Sequence, residues 1–147
     1  ALAVTVVTVK TRTLTPAMIA VLDFYRDHDV AQDLGRRGAA IRTILLETAD
    51  KYDLNISTKG LNQLWSWSFD LDVALNRQLQ TIVTESMLSS SILFSNRFYA
   101  TLGIDPDHDD IFRRAISRAF NKISMIINTK EDPKEHIKFG LNRLGIY

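Results

Sequence analysis

The chain of 147 residues is 46% apolar and 24% charged, enough for one packed domain and too apolar for disorder. Lysine plus arginine total 18 and aspartate plus glutamate 17, a formal charge of +1 that gives no electrostatic reason to expect a nucleic-acid partner. The absence of cysteine excludes a disulfide framework, thiolate zinc sites and thiol catalysis, and it fits a reducing, cytoplasmic setting.

Residues 1–9 form the longest apolar run, broken by Thr5 and Thr8 and far short of the roughly 18 residues a membrane span needs. No membrane partner is therefore expected. The β-branched Val4, Val6, Val7 and Val9 favour a strand, while Leu2, Val6 and Val9 also share a helical face. A chain that opens at Ala1 inside an apolar segment begins where a piece of a larger protein would begin, so a fragment is expected.

Three prolines, Pro16, Pro106 and Pro133, each follow Thr or Asp. A side-chain acceptor followed by a residue without an N–H predicts helix starts near Thr15, Asp105 and Asp132. Over residues 30–52, Leu34, Ile41, Leu45 and Tyr52 recur at helical spacing. The same period predicts helices over 72–90, 107–128 and, more briefly, 133–144. Over residues 64–70, Trp65, Trp67 and Phe69 alternate with Ser66, Ser68 and Asp70, the pattern of a half-buried strand. Further strands are expected over 56–59 and, around the polar Ser95, Asn96 and Arg97, over 92–94 and 98–102. The predicted class is α+β, with three to four antiparallel strands covered by helices. Trp65, Trp67 and Phe69 should face Leu34, Ile41 and Leu45 or the face running from Ile116 to Ile123.

No self-contained catalytic motif is present. His28, His108 and His136 lack zinc-site spacing. The acidic run Asp105, Asp107, Asp109 and Asp110 lacks the glycine and terminal glutamate of a calcium loop and reads as the acidic start of a helix. Ser89, Ser90 and Ser91 read as a helix C-terminus. The adjacent pairs Arg36–Arg37 and Arg113–Arg114 point about 100° apart on their helices, so neither makes one phosphate clamp, and they read as solvated faces. Trp65 and Trp67 are expected in the core; the alternative is a stacking platform.

Three stretches resemble the C-terminal part of class III pyridoxal-phosphate aminotransferases, in the glutamate-1-semialdehyde aminotransferase-like branch. Asp33-Leu34-Gly35-Arg36-Arg37 through Lys51-Tyr52-Asp53-Leu54 resembles that family's G-R-R-x-x-x-G helix ending in K-x-G-L. Met87-Leu88-Ser89-Ser90-Ser91-Ile92-Leu93 resembles E-M-L-x-x-G-I-L, and Phe98-Tyr99-Ala100-Thr101 followed by Asp109-Asp110-Ile111 resembles F-Y-x-S-x-A-H-T-x-E-D-I. Ser91 stands where the family has glycine, so a left-handed cap there should be strained, and Gly103-Ile104-Asp105-Pro106 replaces the A-H-T turn.

The resemblance implies that residues 1–147 are one domain, the small C-terminal domain of a fold-type-I aminotransferase. It implies that residues 1–14 are an interdomain helix, against the strand propensity. The parent would bind pyridoxal phosphate, pair with its own N-terminal cofactor-binding domain, act as a homodimer and work as a transaminase or aminomutase. Its aldimine lysine, the aspartate under the pyridine nitrogen and the phosphate-binding threonine would all precede Ala1. None of Lys10, Lys51, Lys59, Lys122, Lys130, Lys134 and Lys138 sits in the cofactor-lysine motif, so the chain alone is expected to be inactive. In the semialdehyde-handling branch a carboxylate lies near the position of Asn96, which places Ser95, Asn96 and Arg97 at the substrate entrance; otherwise they are an ordinary connection. The competing reading is a non-catalytic α+β interaction module that uses the Trp65 strand or the basic helices as its contact surface.

Overall fold

The computed structural model describes residues 14–138. Residues 1–13, and with them nearly all of the expected interdomain helix, lie outside that range, as do residues 139–144 of the last expected helix. Contacts divide the chain after Val30 into two compact units. The first carries helix α1 (Leu14–Asp27), which starts where Thr15-Pro16 predicts. Near its end Arg26 pairs with Asp23 at 2.9 Å, and the His28 ring stacks on Phe24 at 4.2 Å.

The second unit is α+β. In chain order it holds helix α2 (Val30–Lys51), strands β1 (Ile56–Leu61) and β2 (Leu64–Phe69), helix α3 (Val73–Leu88), strand β3 (Arg97–Tyr99), helix α4 (Asp107–Thr129) and a 3-10 turn at Pro133–His136. The sheet is antiparallel in the order β1-β2-β3, and Asn62 and Gln63 make the turn between β1 and β2.

The alternation in β2 sets the core. Trp65 is 1% exposed, and Trp67 and Phe69 are buried beside it, while Ser66 and Ser68 look outward. The rings form one connected series: Phe98 stacks on Trp65 at 4.9 Å, Trp65 and Trp67 both meet Phe94, and Trp67 and Phe69 both meet Phe120 at 6.1 Å. Helices α2, α3 and α4 close over this series with Ile41 and Leu45, with Leu79, Ile82 and Val83, and with Ile116, Phe120 and Ile123. The two matched periods thus meet as expected, except at Leu34, which is half-buried and outside the core. The reason is Gly38. A Cβ there would strike the Asn62 carbonyl oxygen, so the first turns of α2 lie against the backbone of the β1–β2 turn and not against the aromatic face.

Helices α2, α3 and α4 all end in a left-handed residue that is not glycine. Asp53 (φ 55°), Ser91 (φ 61°) and Lys130 (φ 56°) occupy these positions. After each, an amide reaches back into the last turn: Leu54 N–H to the Ala49 carbonyl at 2.9 Å, Ile92 N–H to Met87 at 3.0 Å and Glu131 N–H to Ile126 at 3.2 Å. The Asp72 carboxylate caps the start of α3 through the Ala74 and Leu75 amides, both at 3.0 Å, and Asp132 caps the 3-10 turn through the Lys134 amide.

Three expectations need correction. Residues 92–94 are not a strand. The left-handed turn at Ser91 wraps the chain around the end of α3, which leaves Leu93 87% exposed and drops Phe94 into the core. Residues 98–102 shrink to the short β3, which begins one residue earlier, at Arg97. The Ala100 amide still donates to its in-register neighbour, the Gln63 carbonyl (2.9 Å), in the β1–β2 turn. The segment from Pro133 is a single 3-10 turn within the described residues rather than the start of an α-helix, since Ile137 at its end is already extended.

The left-handed position at Ser91 should favour glycine. Relief of the αL penalty, about 1–2 kcal/mol, outweighs the extra chain entropy, about 0.5–1 kcal/mol. Ser91→Gly should therefore raise unfolding free energy by about 0.5–1 kcal/mol in urea titration. Gly38→Ala should lower it by about 1–3 kcal/mol, because the overlap is with backbone and no side chain can yield.

Candidate functional site

Ser95, Asn96 and Arg97 are held by Trp67. Its backbone N–H donates to the Asn96 carbonyl at 3.0 Å, and its indole Nε1–H donates to the Ser95 carbonyl at 2.8 Å. A buried indole N–H needs an acceptor, so the core residue fixes the backbone of the segment. The side chains remain available. Ser95 Oγ accepts from the Arg97 amide at 3.4 Å, while the Asn96 amide and the Arg97 guanidinium have no ion-pair or side-chain partner among the described residues.

The segment is a ridge between two concavities. On one side lies an apolar hollow of about 610 Å³, walled by Leu93, Phe94, Tyr99, Ile111 and Phe112, with Ser95, Arg97 and His108 on its wall. On the other lies a polar trough of about 240 Å³ on the outer face of the sheet, lined by Ser57, Lys59, Ser66, Ser68, Asn76 and Gln80 together with Asn96 and Arg97. Arg97 belongs to both.

Sequence reasoning missed Asn76 and Gln80. β3 is too short to pair with the whole of β2, and α3 supplies the missing partners: Phe69 N–H donates to Asn76 Oδ1 at 2.9 Å, and Gln80 Nε2 donates to the Trp67 carbonyl at 2.8 Å. Two side-chain amides four residues apart on one helix face, beside a strand longer than its neighbour, are the signal that could have found them.

The other candidates have structural partners. Arg36 pairs with Asp33. Arg37 is not a solvated residue: it donates to the Leu102 carbonyl at 2.9 Å and to the Ile104 carbonyl, and lies 3.5 Å from Asp105, so it pins the connection into α4. Arg113 pairs with Glu47 at 2.9 Å between α4 and α2. Asp107, Asp109 and Asp110 occupy the first turn of α4, where their charge favours the helix dipole, and His108 Nδ1 accepts from the Asp105 amide at 2.9 Å. Among the described residues no three His, Asp or Glu converge as a metal site requires, and no helix is long and apolar enough to cross a membrane.

An aldimine lysine must be desolvated and must face a cradle for the cofactor phosphate and ring. The described lysines do not fit that role. None is buried; Lys51 lies over the Tyr52 ring, Lys122 reaches the His136 carbonyl, and no carboxylate lines the trough beside Lys59.

No protein-family model matches the sequence, and no curated protein sequence matches it. A solved structure does: the FumI protein of Sphingopyxis sp. MTA144 in its PLP internal-aldimine form, at a TM-score of 0.66 and 17% identity over 76% of this chain. The chain has the fold of part of that protein. It spans 27% of the length of that neighbour. At this identity the likeness is one of fold, and it covers the α+β arrangement that the periodicity predicts.

Trp67→Phe tests the hold on the ridge. Loss of the indole donor and of packing volume should cost about 1–3 kcal/mol. Amide exchange at residue 67 should accelerate more than exchange in α2, which hydrogen exchange with mass spectrometry resolves.

Proposed function

We propose that this chain is the small C-terminal domain of a pyridoxal-phosphate-dependent enzyme of the class III aminotransferase kind. Its part in that enzyme is to line the substrate entrance and to pack against the parent's cofactor-binding domain, in a homodimeric parent. The observation that carries the reading is the fold shared with part of a PLP-bound protein, of which this chain covers 27%, on a chain that also has three stretches resembling the family's motifs in the family's order.

The aldimine lysine belongs to the parent's other domain in this reading, because none of the described lysines has the surroundings for it. The cofactor supplies the electron sink for amino-group chemistry when bound there. This chain's contribution is to bind and orient. Asn96 does not titrate, so it is no general base; its amide both donates to and accepts from a substrate hydroxyl or amine. Arg97 presents a planar fork of donors that matches a carboxylate or phosphate. Ser95 braces the Arg97 amide. The apolar hollow on the other side of the ridge offers room for an apolar part of a substrate.

Three measurements test the reading. The coding sequence upstream of Ala1 should carry a cofactor domain with an aldimine lysine; an unrelated upstream sequence would overturn the proposal. In the full-length parent, Asn96→Ala should lower kcat/KM by the worth of one hydrogen bond, about 0.5–1.5 kcal/mol, with Arg97→Gln costing more against anionic substrates. The isolated chain, mixed with pyridoxal phosphate, should give no stoichiometric borohydride-trapped adduct at any single lysine.

A further inference from the structure

The trough on the outer face of the sheet has the composition of an anion site. Antiparallel register sets Lys59 of β1 opposite Ser66 of β2, and Ser66 opposite Arg97 of β3. Directly opposed residues project from the same face, and Trp65, Trp67 and Phe98 on the inner face fix that face as the outer one. Neighbouring strands are about 4.8 Å apart, so the two cations flank one serine across about 10 Å of sheet. Neither Lys59 nor Arg97 has an ion-pair partner among the described residues. No acidic side chain lines the trough.

The neutral groups add donors. Asn76 uses its Oδ1 on the Phe69 amide, which fixes the orientation of its carboxamide and leaves both Nδ2 hydrogens free. Ser57 Oγ and Ser68 Oγ lie 3.1 Å apart; one hydroxyl donates to the other, and the accepting hydroxyl keeps its own hydrogen for a ligand. Donors therefore outnumber acceptors around a concavity of about 240 Å³, with positive charge at both sides.

We propose that this trough binds a phosphoryl group, as inorganic phosphate or a small phosphate monoester, over Ser66 between Lys59 and Arg97. Three terminal oxygens in a tetrahedron can meet donors on two sides and on the floor at once, which a planar carboxylate cannot do. The inference does not rest on the cofactor reading: it concerns this chain's own residues, and it can be tested with neither cofactor nor parent.

The test uses the whole 147-residue chain and two probes, inorganic phosphate and glycerol 3-phosphate, titrated at constant ionic strength against chloride. Tm and amide NMR shifts provide the readouts. Saturable shifts confined to Ser57, Ser66, Ser68 and Arg97 are expected, with a rise in Tm. Lys59→Met and Arg97→Gln should each weaken the apparent Kd about tenfold or more, and Lys130→Met, on an exposed lysine far along the chain, should leave it unchanged. A response to both probes assigns recognition to the phosphoryl group alone; a response to glycerol 3-phosphate only means that the trough also reads the ester. No saturable response to either probe, or a response that survives both trough variants, would overturn the proposal. Because Ser66→Ala removes a floor hydroxyl without altering charge, weakened binding in that variant separates a formed site from general cation attraction, which would leave its affinity intact and count against the proposal.

Discussion

Two buried indoles on one strand organise this molecule. An indole is too large to leave exposed beside a helix layer, and its N–H cannot be buried without an acceptor. Trp65 takes the Gly38 carbonyl at 3.3 Å and Trp67 takes Ser95. The first bond ties β2 to α2, and the second ties it to the segment before β3. Arg42 then lies over the outer edge of the Trp65 ring, 5.7 Å from its centroid, and donates to the Gly60 carbonyl at 3.1 Å, so one helix holds both the strand and its hairpin partner. The core and the candidate site share a residue, and a change in one is felt in the other.

That coupling explains why the ridge can be both rigid and exposed. The Ser95 and Asn96 carbonyls are committed inward to Trp67, and the Asn96 and Arg97 side chains have no ion-pair or side-chain partner among the described residues. Sites built in this way combine a fixed backbone with free polar groups, as recognition of a small ligand demands. The ridge divides an apolar hollow from a polar trough, and Arg97 lines both.

Much of the fold was legible in the sequence because period carries through to packing. The alternation at Trp65, Trp67 and Phe69 needed no tertiary information, and neither did the helical spacing over α3 and α4. The glycine missing at Ser91 was visible as a source of strain, and the residue is indeed left-handed. What was not legible depended on contacts remote in the chain. Residues 92–94 have strand composition, yet a turn five residues wide at the end of α3 decides their path. Gly38 carried no signal in the sequence, and its reason is a carbonyl 24 positions later. For the site, the polar character of Ser95, Asn96 and Arg97 was readable. The trough was not, because its walls come from three strands and a helix, and Lys59, Ser66 and Asn76 are individually ordinary.

The ends of the sheet bear on how the chain behaves beside copies of itself. On the β3 side, the amides of Asn76 and Gln80 occupy the hydrogen-bonding groups that a longer strand would have taken. On the β1 side, Gly60 with φ 116° bends the strand out of extended geometry one residue before it ends, and Lys59 stands beside the bend. An intruding strand needs a straight run of unpaired backbone. Two side chains that line the trough, Asn76 and Gln80, therefore shorten the run of β2 left open beyond β3, and the Gly60 bend shortens the straight run of β1.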